Sequence, residues 1–95
     1  MESVEIALST AKEAANWLRS RGATRVLLFG SLAGGGFLPN RSDIDLYFEG
    51  FSDSEALAVT GRLLDVYGEG SIDPVPAQFC SQRLRLDIEA AGIPV

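Results

Sequence analysis

The chain has 95 residues, 46% hydrophobic and 22% charged, with thirteen acidic against eight basic side chains and a formal charge of -5. That length allows one small core and excludes a catalytic domain joined to a separate substrate domain, while an acidic balance without a basic cluster disfavours direct nucleic-acid contact. No histidine and a single cysteine, Cys80, exclude the usual zinc sites, histidine-dependent triads and an internal disulfide, so any catalysis must rest on carboxylates and metal.

Residues Met1 to Glu5 carry neither a basic region nor a long apolar run, so no signal peptide or membrane span is expected and a cytoplasmic location is the default. From Val4 to Arg19 the residues Val4, Ala7, Leu8, Ala11, Ala14, Ala15 and Leu18 recur at helical spacing, which predicts an amphipathic helix stopped by Gly22. Trp17 falls at the margin of that apolar stripe. Thr24 to Phe29 is short and apolar and predicts a strand covered on both faces. After Gly30-Ser31, the stretch from Leu32 to Arg41 mixes a possible helical turn with three glycines and a proline and reads as a loop, mobile without ligand.

Asp43 to Glu49 predicts a second strand ended by Gly50, with Asp43 and Asp45 on one face and Ile44, Leu46 and Phe48 on the other. Ser52 or Asp53 caps a helix with Ala56, Val59, Leu63, Val66 and Tyr67 at helical spacing, closed by Gly68 and Gly70. Ser71 to Val75 alternates as a third strand, with Pro74 favouring an edge or the strand's end. Ser81 caps a last helix with Leu84, Ile88 and Ala91 along one side, Gly92 ends it, and Ile93-Pro94-Val95 is a small apolar tail. The expected order is α-β-β-α-β-α in one domain, residues 1–95. A doubly wound fold would alternate strand and helix throughout, so the fold class is α+β, a mixed three-stranded sheet flanked by helices.

Two carboxylates on one strand face can hold divalent cations, and a Gly-Ser turn can hold the phosphates those cations bridge. A third strand beside the second would bring Asp73 near Asp43 and Asp45, because neighbouring strands lie about 4.8 Å apart. Taken singly, Gly-Ser is most often a turn, Asp-x-Asp a solvated face, and Asp73-Pro74 turn chemistry. Their order and spacing together point to a site. Rival phosphate motifs fail: no Lys-Ser/Thr pair follows Gly34-Gly35-Gly36, and no G-x-G-x-x-G opens a helix.

Phe29-Gly30-Ser31, the eleven residues between Ser31 and Asp43, the run Ser42-Asp43-Ile44-Asp45-Leu46 and the later Ile72-Asp73 carry a resemblance. They resemble the minimal nucleotidyltransferases of the DNA polymerase β superfamily, marked by Gly-Ser, a short spacer, Asp-x-Asp and a third carboxylate on a later strand. The closing Ala91-Gly92-Ile93-Pro94-Val95 is similar to the end of small members. The resemblance implies a polymerase β-like fold and a phosphate cradle at Gly30 and Ser31. It implies two Mg²⁺ ions on Asp43 and Asp45, with Asp73 ligating one and drawing the proton from an attacking hydroxyl. It further implies transfer of AMP, or another NMP, from ATP or another NTP to a hydroxyl of a partner protein, a HEPN-class toxin in a toxin-antitoxin module.

The chain departs from that pattern at Gly34, where many small relatives carry an arginine. Losing one charge-assisted contact to phosphate costs about 1.5–3 kcal/mol, and Arg41, across the loop, is the candidate replacement. The alternative is a catalytically weak binding module that neutralises a partner RNase by covering it, an acidic chain being suited to a basic site.

Overall fold

The computed structural model describes residues 3–95. Met1 and Glu2, on which the N-terminal expectation partly rests, lie outside the described residues. Helix α1 spans Val4–Ser20, its N-terminus capped by Ser3, whose Oγ accepts from the Ile6 amide at 3.1 Å. Then follow β1 (Arg25–Phe29), a short helix α2 (Gly30–Gly34), β2 (Ile44–Glu49) and α3 (Asp53–Tyr67). The chain closes with β3 (Ile72–Pro76), a 3-10 turn (Ala77–Phe79), α4 (Gln82–Ala91) and β4 (Ile93–Pro94). Helix α3 opens on a capping box: Ser52 Oγ accepts from the Glu55 amide at 3.2 Å, and Glu55 accepts from the Ser52 amide at 3.0 Å.

The strands form one mixed sheet in the order β3-β2-β1-β4. β1 pairs antiparallel with both β2 and β4, and β2 pairs parallel with β3 across the α3 connection. One face carries Val26, Leu28, Ile44, Leu46 and Phe48, all buried against α1 and α3 in the main core. The opposite face carries Leu27 and Tyr47, buried under Ile88 of α4. Alternation within β2 thus sends Ile44, Leu46 and Phe48 to one layer and Asp45, Tyr47 and Glu49 to the other.

The α+β class and the mixed sheet are as expected, but the strand count and order are not. The sheet has four strands, because Leu27 and Leu28 of β1 pair with Pro94 and Ile93 of the expected tail. A two-residue strand is too short to carry periodicity. Gly92 permits that return: a Cβ there would stand 2.6 Å from the Ile88 carbonyl oxygen and 3.2 Å from Leu27 Cβ.

The expected loop after Ser31 opens on a helical turn, α2, which starts at Gly30, is anchored by buried Leu32 and is closed by Gly35 at φ 86°. Burial of Leu32 outweighs the low helix propensity of its glycines. The remaining loop is tied down by buried Phe37 and by Ser42, whose Oγ accepts from the Leu38 amide at 3.1 Å. β3 is an edge strand, which is how Pro74 and Pro76 fit a ladder to which they cannot donate.

Several apolar stripes are less buried than their spacing suggests. Val4 and Leu8 of α1 are exposed, as is Val66 of α3, and in α4 only Ile88 is buried while Leu84 and Ala91 are not. A helix as long as α1 runs about 25 Å, whereas strands of five or six residues run about 17–20 Å, so the sheet cannot cover the helix end to end. Among the described residues, no helix is long and apolar enough to cross a membrane.

Candidate active site

The parallel register of β2 and β3 sets Asp73 directly opposite Asp45. Asp43 stands just before β2, not within it; the strand begins at Ile44, whose amide donates to the Ser71 carbonyl at 2.9 Å. Asp43, Asp45 and Asp73 converge, each offering a carboxylate oxygen, with these oxygens within 4.8 Å of one another. Asp43 and Asp45 are half-buried and Asp73 is exposed, so the cluster opens to solvent on the β3 side.

Crowding three carboxylates has an electrostatic cost that the pKa values record. Burial, then the charges of Asp73 and Asp43, push Asp45 up from 3.8 to about 6, and its protonated form donates a hydrogen bond to Asp73. Asp73 is raised as well, by burial and by Asp43. No arginine or lysine forms an ion pair with these acids among the described residues. Clustered, uncompensated oxygen ligands of this kind fit a hard divalent cation, which would lower the pKa values it now meets raised.

The Gly-Ser turn lies against the same cluster. Phe29 pairs with Asp45 across β1 and β2, so the next residue, Gly30, passes the Asp45 carboxylate. Gly30 has φ 73°, and a Cβ there would stand 3.0 Å from Asp45 Cγ and collide outright with Oδ2. Only glycine gives both this backbone conformation and this approach. Ser31 follows, half-buried in the first turn of α2, and its carbonyl accepts from the Gly36 amide at 2.9 Å. The structure therefore brings Gly30, Asp43, Asp45 and Asp73 together with Ser31 alongside. Arg41, two residues before Asp43, is exposed on the loop and forms no ion pair with the acids.

Two features of the site's surroundings were not read from the sequence. A cleft of about 200 Å³ separates Gly30, Ala33 and Gly34 from Leu84, Asp87 and Ile88 of α4, so the last helix walls the approach to the turn. A Cβ on Gly34 would meet nothing within 4 Å, so this side of the cleft is open. Helix α4 is itself held by a polar network further along the sheet face that carries Asp45. Tyr47 donates to Glu49; Arg25 meets Glu49 at 3.5 Å and Glu89 at 3.3 Å; Arg85 meets Glu89 at 3.1 Å. Burial foremost, then Glu49, pushes the Tyr47 phenol up to about 12, so it remains a donor across the working pH range. The Tyr47-x-Glu49 alternation on the face of Asp45 was the available signal, but its arginine partners come from β1 and α4 and have no local signature.

Among known families, the profile of the nucleotidyltransferase domain matches residues 8–88. Among solved structures, one described provisionally as a minimal nucleotidyltransferase superposes with a TM-score of 0.74 at 23% identity, covering 100% of this chain and 97% of that one. At that identity the likeness concerns the fold. No curated protein sequence matches the chain significantly.

Proposed function

The chain belongs to the nucleotidyltransferase domain family, and from that premise we propose that it moves AMP, or another NMP, from ATP or another NTP to a hydroxyl of a partner protein. Nucleotidyl transfer, an NTP substrate and divalent metal use follow from the family; the protein acceptor and the residue roles are our reading. The observation that carries it is the convergence of Asp43, Asp45 and Asp73 within 4.8 Å, against a turn where a Cβ has no room.

In this reading Gly30 admits the triphosphate close to the backbone and Ser31 supplies an amide and a hydroxyl to its oxygens. Asp43 and Asp45 would hold two Mg²⁺ ions and Asp73 would complete the set; bound metal would supply charge stabilisation for an in-line displacement at the α-phosphate. A bond forms from the acceptor oxygen to the α-phosphorus, the bond to the bridging oxygen breaks, pyrophosphate leaves, and Asp73 takes the hydroxyl proton. With Asp45 and Asp73 both raised, a bound cation would favour their ionised forms.

The acceptor we propose is a HEPN-class toxin, the pair forming a toxin-antitoxin module, on the strength of the sequence resemblance. Incubating chain and toxin with α-labelled ATP and Mg²⁺ tests it. Label should appear on the toxin and vanish with Asp43→Ala combined with Asp45→Ala; no label on the toxin would refute it. The absence of a side chain at Gly34, beside open space, favours a second reading, neutralisation by binding alone. Under that reading, stoichiometric mixing without ATP silences the toxin's RNase activity.

A further inference from the structure

Strand pairing holds two of the three acids and leaves the third to other means. Asp45 faces Phe29 of β1 and Asp73 of β3 across the two ladders, whereas Asp43 has no ladder partner among the described residues. On its C-terminal side the chain is fixed at once, since the Ile44 amide donates to the Ser71 carbonyl at 2.9 Å. On its N-terminal side stands a loop, and the loop must set where this carboxylate lies.

That loop is built as a clamp. Leu38, Pro39, Asn40 and Arg41 form a turn closed by the Arg41 amide, which donates to the Leu38 carbonyl at 3.0 Å. Proline at its second position and a φ of 66° at its third, Asn40, are the marks of a type II turn, and asparagine tolerates that left-handed conformation. Ser42 then grips Leu38 twice: its amide donates to the Leu38 carbonyl at 2.9 Å, and its hydroxyl oxygen accepts from the Leu38 amide at 3.1 Å. The Leu38 side chain is exposed, while buried Phe37 ties the clamp to the core. Further back, the Gly36 amide donates to the Ser31 carbonyl at 2.9 Å, so the clamp joins the Gly30-Ser31 turn at one end to Asp43 at the other.

We infer that Ser42 is a positioning residue for Asp43: its hydroxyl locks the clamp, and the locked clamp delivers the Asp43 carboxylate to Asp45 and Asp73. Any residue but proline at position 42 could make the backbone bond; the side-chain bond is what serine adds. Because that bond is exposed, water can replace it, so its loss costs little stability but frees the loop. Partners that orient a ligand before the ion arrives govern metal affinity. The inference rests on the reading of the three acids as metal ligands.

Mn²⁺ alone is the probe, its free concentration read by electron paramagnetic resonance. Ser42→Ala should weaken Mn²⁺ binding about tenfold, while Ser42→Thr, which keeps the hydroxyl, should bind like the native chain. In EDTA, hydrogen exchange at the Leu38 amide should quicken about tenfold in Ser42→Ala and not in Ser42→Thr, with the urea midpoint nearly unmoved in both. Asn40→Val, disfavoured at positive φ, should loosen the clamp and weaken binding as well, whereas Asn40→Gly should not. Once Asp43→Ala has removed the carboxylate, adding Ser42→Ala should cost nothing more, which marks a residue acting through Asp43. Native Mn²⁺ affinity in Ser42→Ala, no rescue by threonine, or an undiminished loss in the Asp43→Ala background would overturn the inference and leave the metal site standing. If the native chain binds no Mn²⁺, or Asp43→Ala binds it equally well, the reading of the acids falls and this inference falls with it.

Discussion

The carboxylate of Asp45 occupies the space that a Cβ at position 30 would need. A Cβ there would sit 3.0 Å from Asp45 Cγ, on a backbone with φ 73°. The turn and the strand that make up the site are thus fitted to each other: glycine at one position is the condition for an acid at the other. The acid in turn fixes where a phosphate-bearing ligand and a cation can meet.

Gly30→Ala is therefore expected to damage the site more than the fold. A non-glycine residue in the left-handed region costs about 1–3 kcal/mol, and the displaced Asp45 should lose its alignment with Asp73. Urea denaturation should show that loss of stability, while Mg²⁺ titration should show weakened binding. Unchanged metal affinity in the variant would mean that Asp45 does not depend on the glycine.

Stability should depend on pH through Asp45, with a definite sign. Its carboxyl rises from 3.8 to about 6 in the folded protein, so the folded state holds that proton more tightly than the unfolded chain. The resulting stabilisation is complete below about 3.8 and is lost as pH rises through about 6. In EDTA, the melting temperature of the native protein should fall relative to Asp45→Asn between about pH 4 and pH 7, and Mg²⁺ should restore it at the upper end of that range. Parallel melting curves for the two proteins would contradict this account.

Gly34→Arg should strengthen nucleotide binding without disturbing the fold. Open space surrounds the Cβ position, and replacing a helical glycine with arginine favours the helix by up to about 1 kcal/mol. A guanidinium reaching the phosphates should tighten NTP binding by about tenfold or more, measured by calorimetric titration against the native chain. If affinity does not change, the cleft between α2 and α4 is not where the phosphates lie.

Tyr47→Phe removes the phenol that donates to half-buried Glu49 while preserving the packing under Ile88. Glu49 keeps Arg25 as a partner, so the loss should be about 1–2 kcal/mol, read from the denaturation midpoint. Metal affinity should stay within error, because the network includes none of the three acids. A large drop in Mg²⁺ binding would instead tie the orientation of α4 to the site.

Much of this was written locally. Helical spacing gave α1 and α3 nearly to their ends, and Ser52 and Ser81 stand at the caps their side chains suit. Alternation placed Ile44, Leu46 and Phe48 in the core and Asp45 away from it. The acids and Gly30-Ser31 were legible because residue type, order and spacing are properties of the chain itself. The return of Ile93 and Pro94 onto β1 and the wall formed by α4 were not, since each is stabilised by contacts distant in sequence. By itself the sequence determined which residues could form a metal and phosphate site and on which strand face Asp45 would lie. Only the tertiary structure decided that Asp73 stands opposite Asp45, because that register depends on β3 returning parallel beside β2 across the α3 connection and on buried Ile72 meeting buried Ile44.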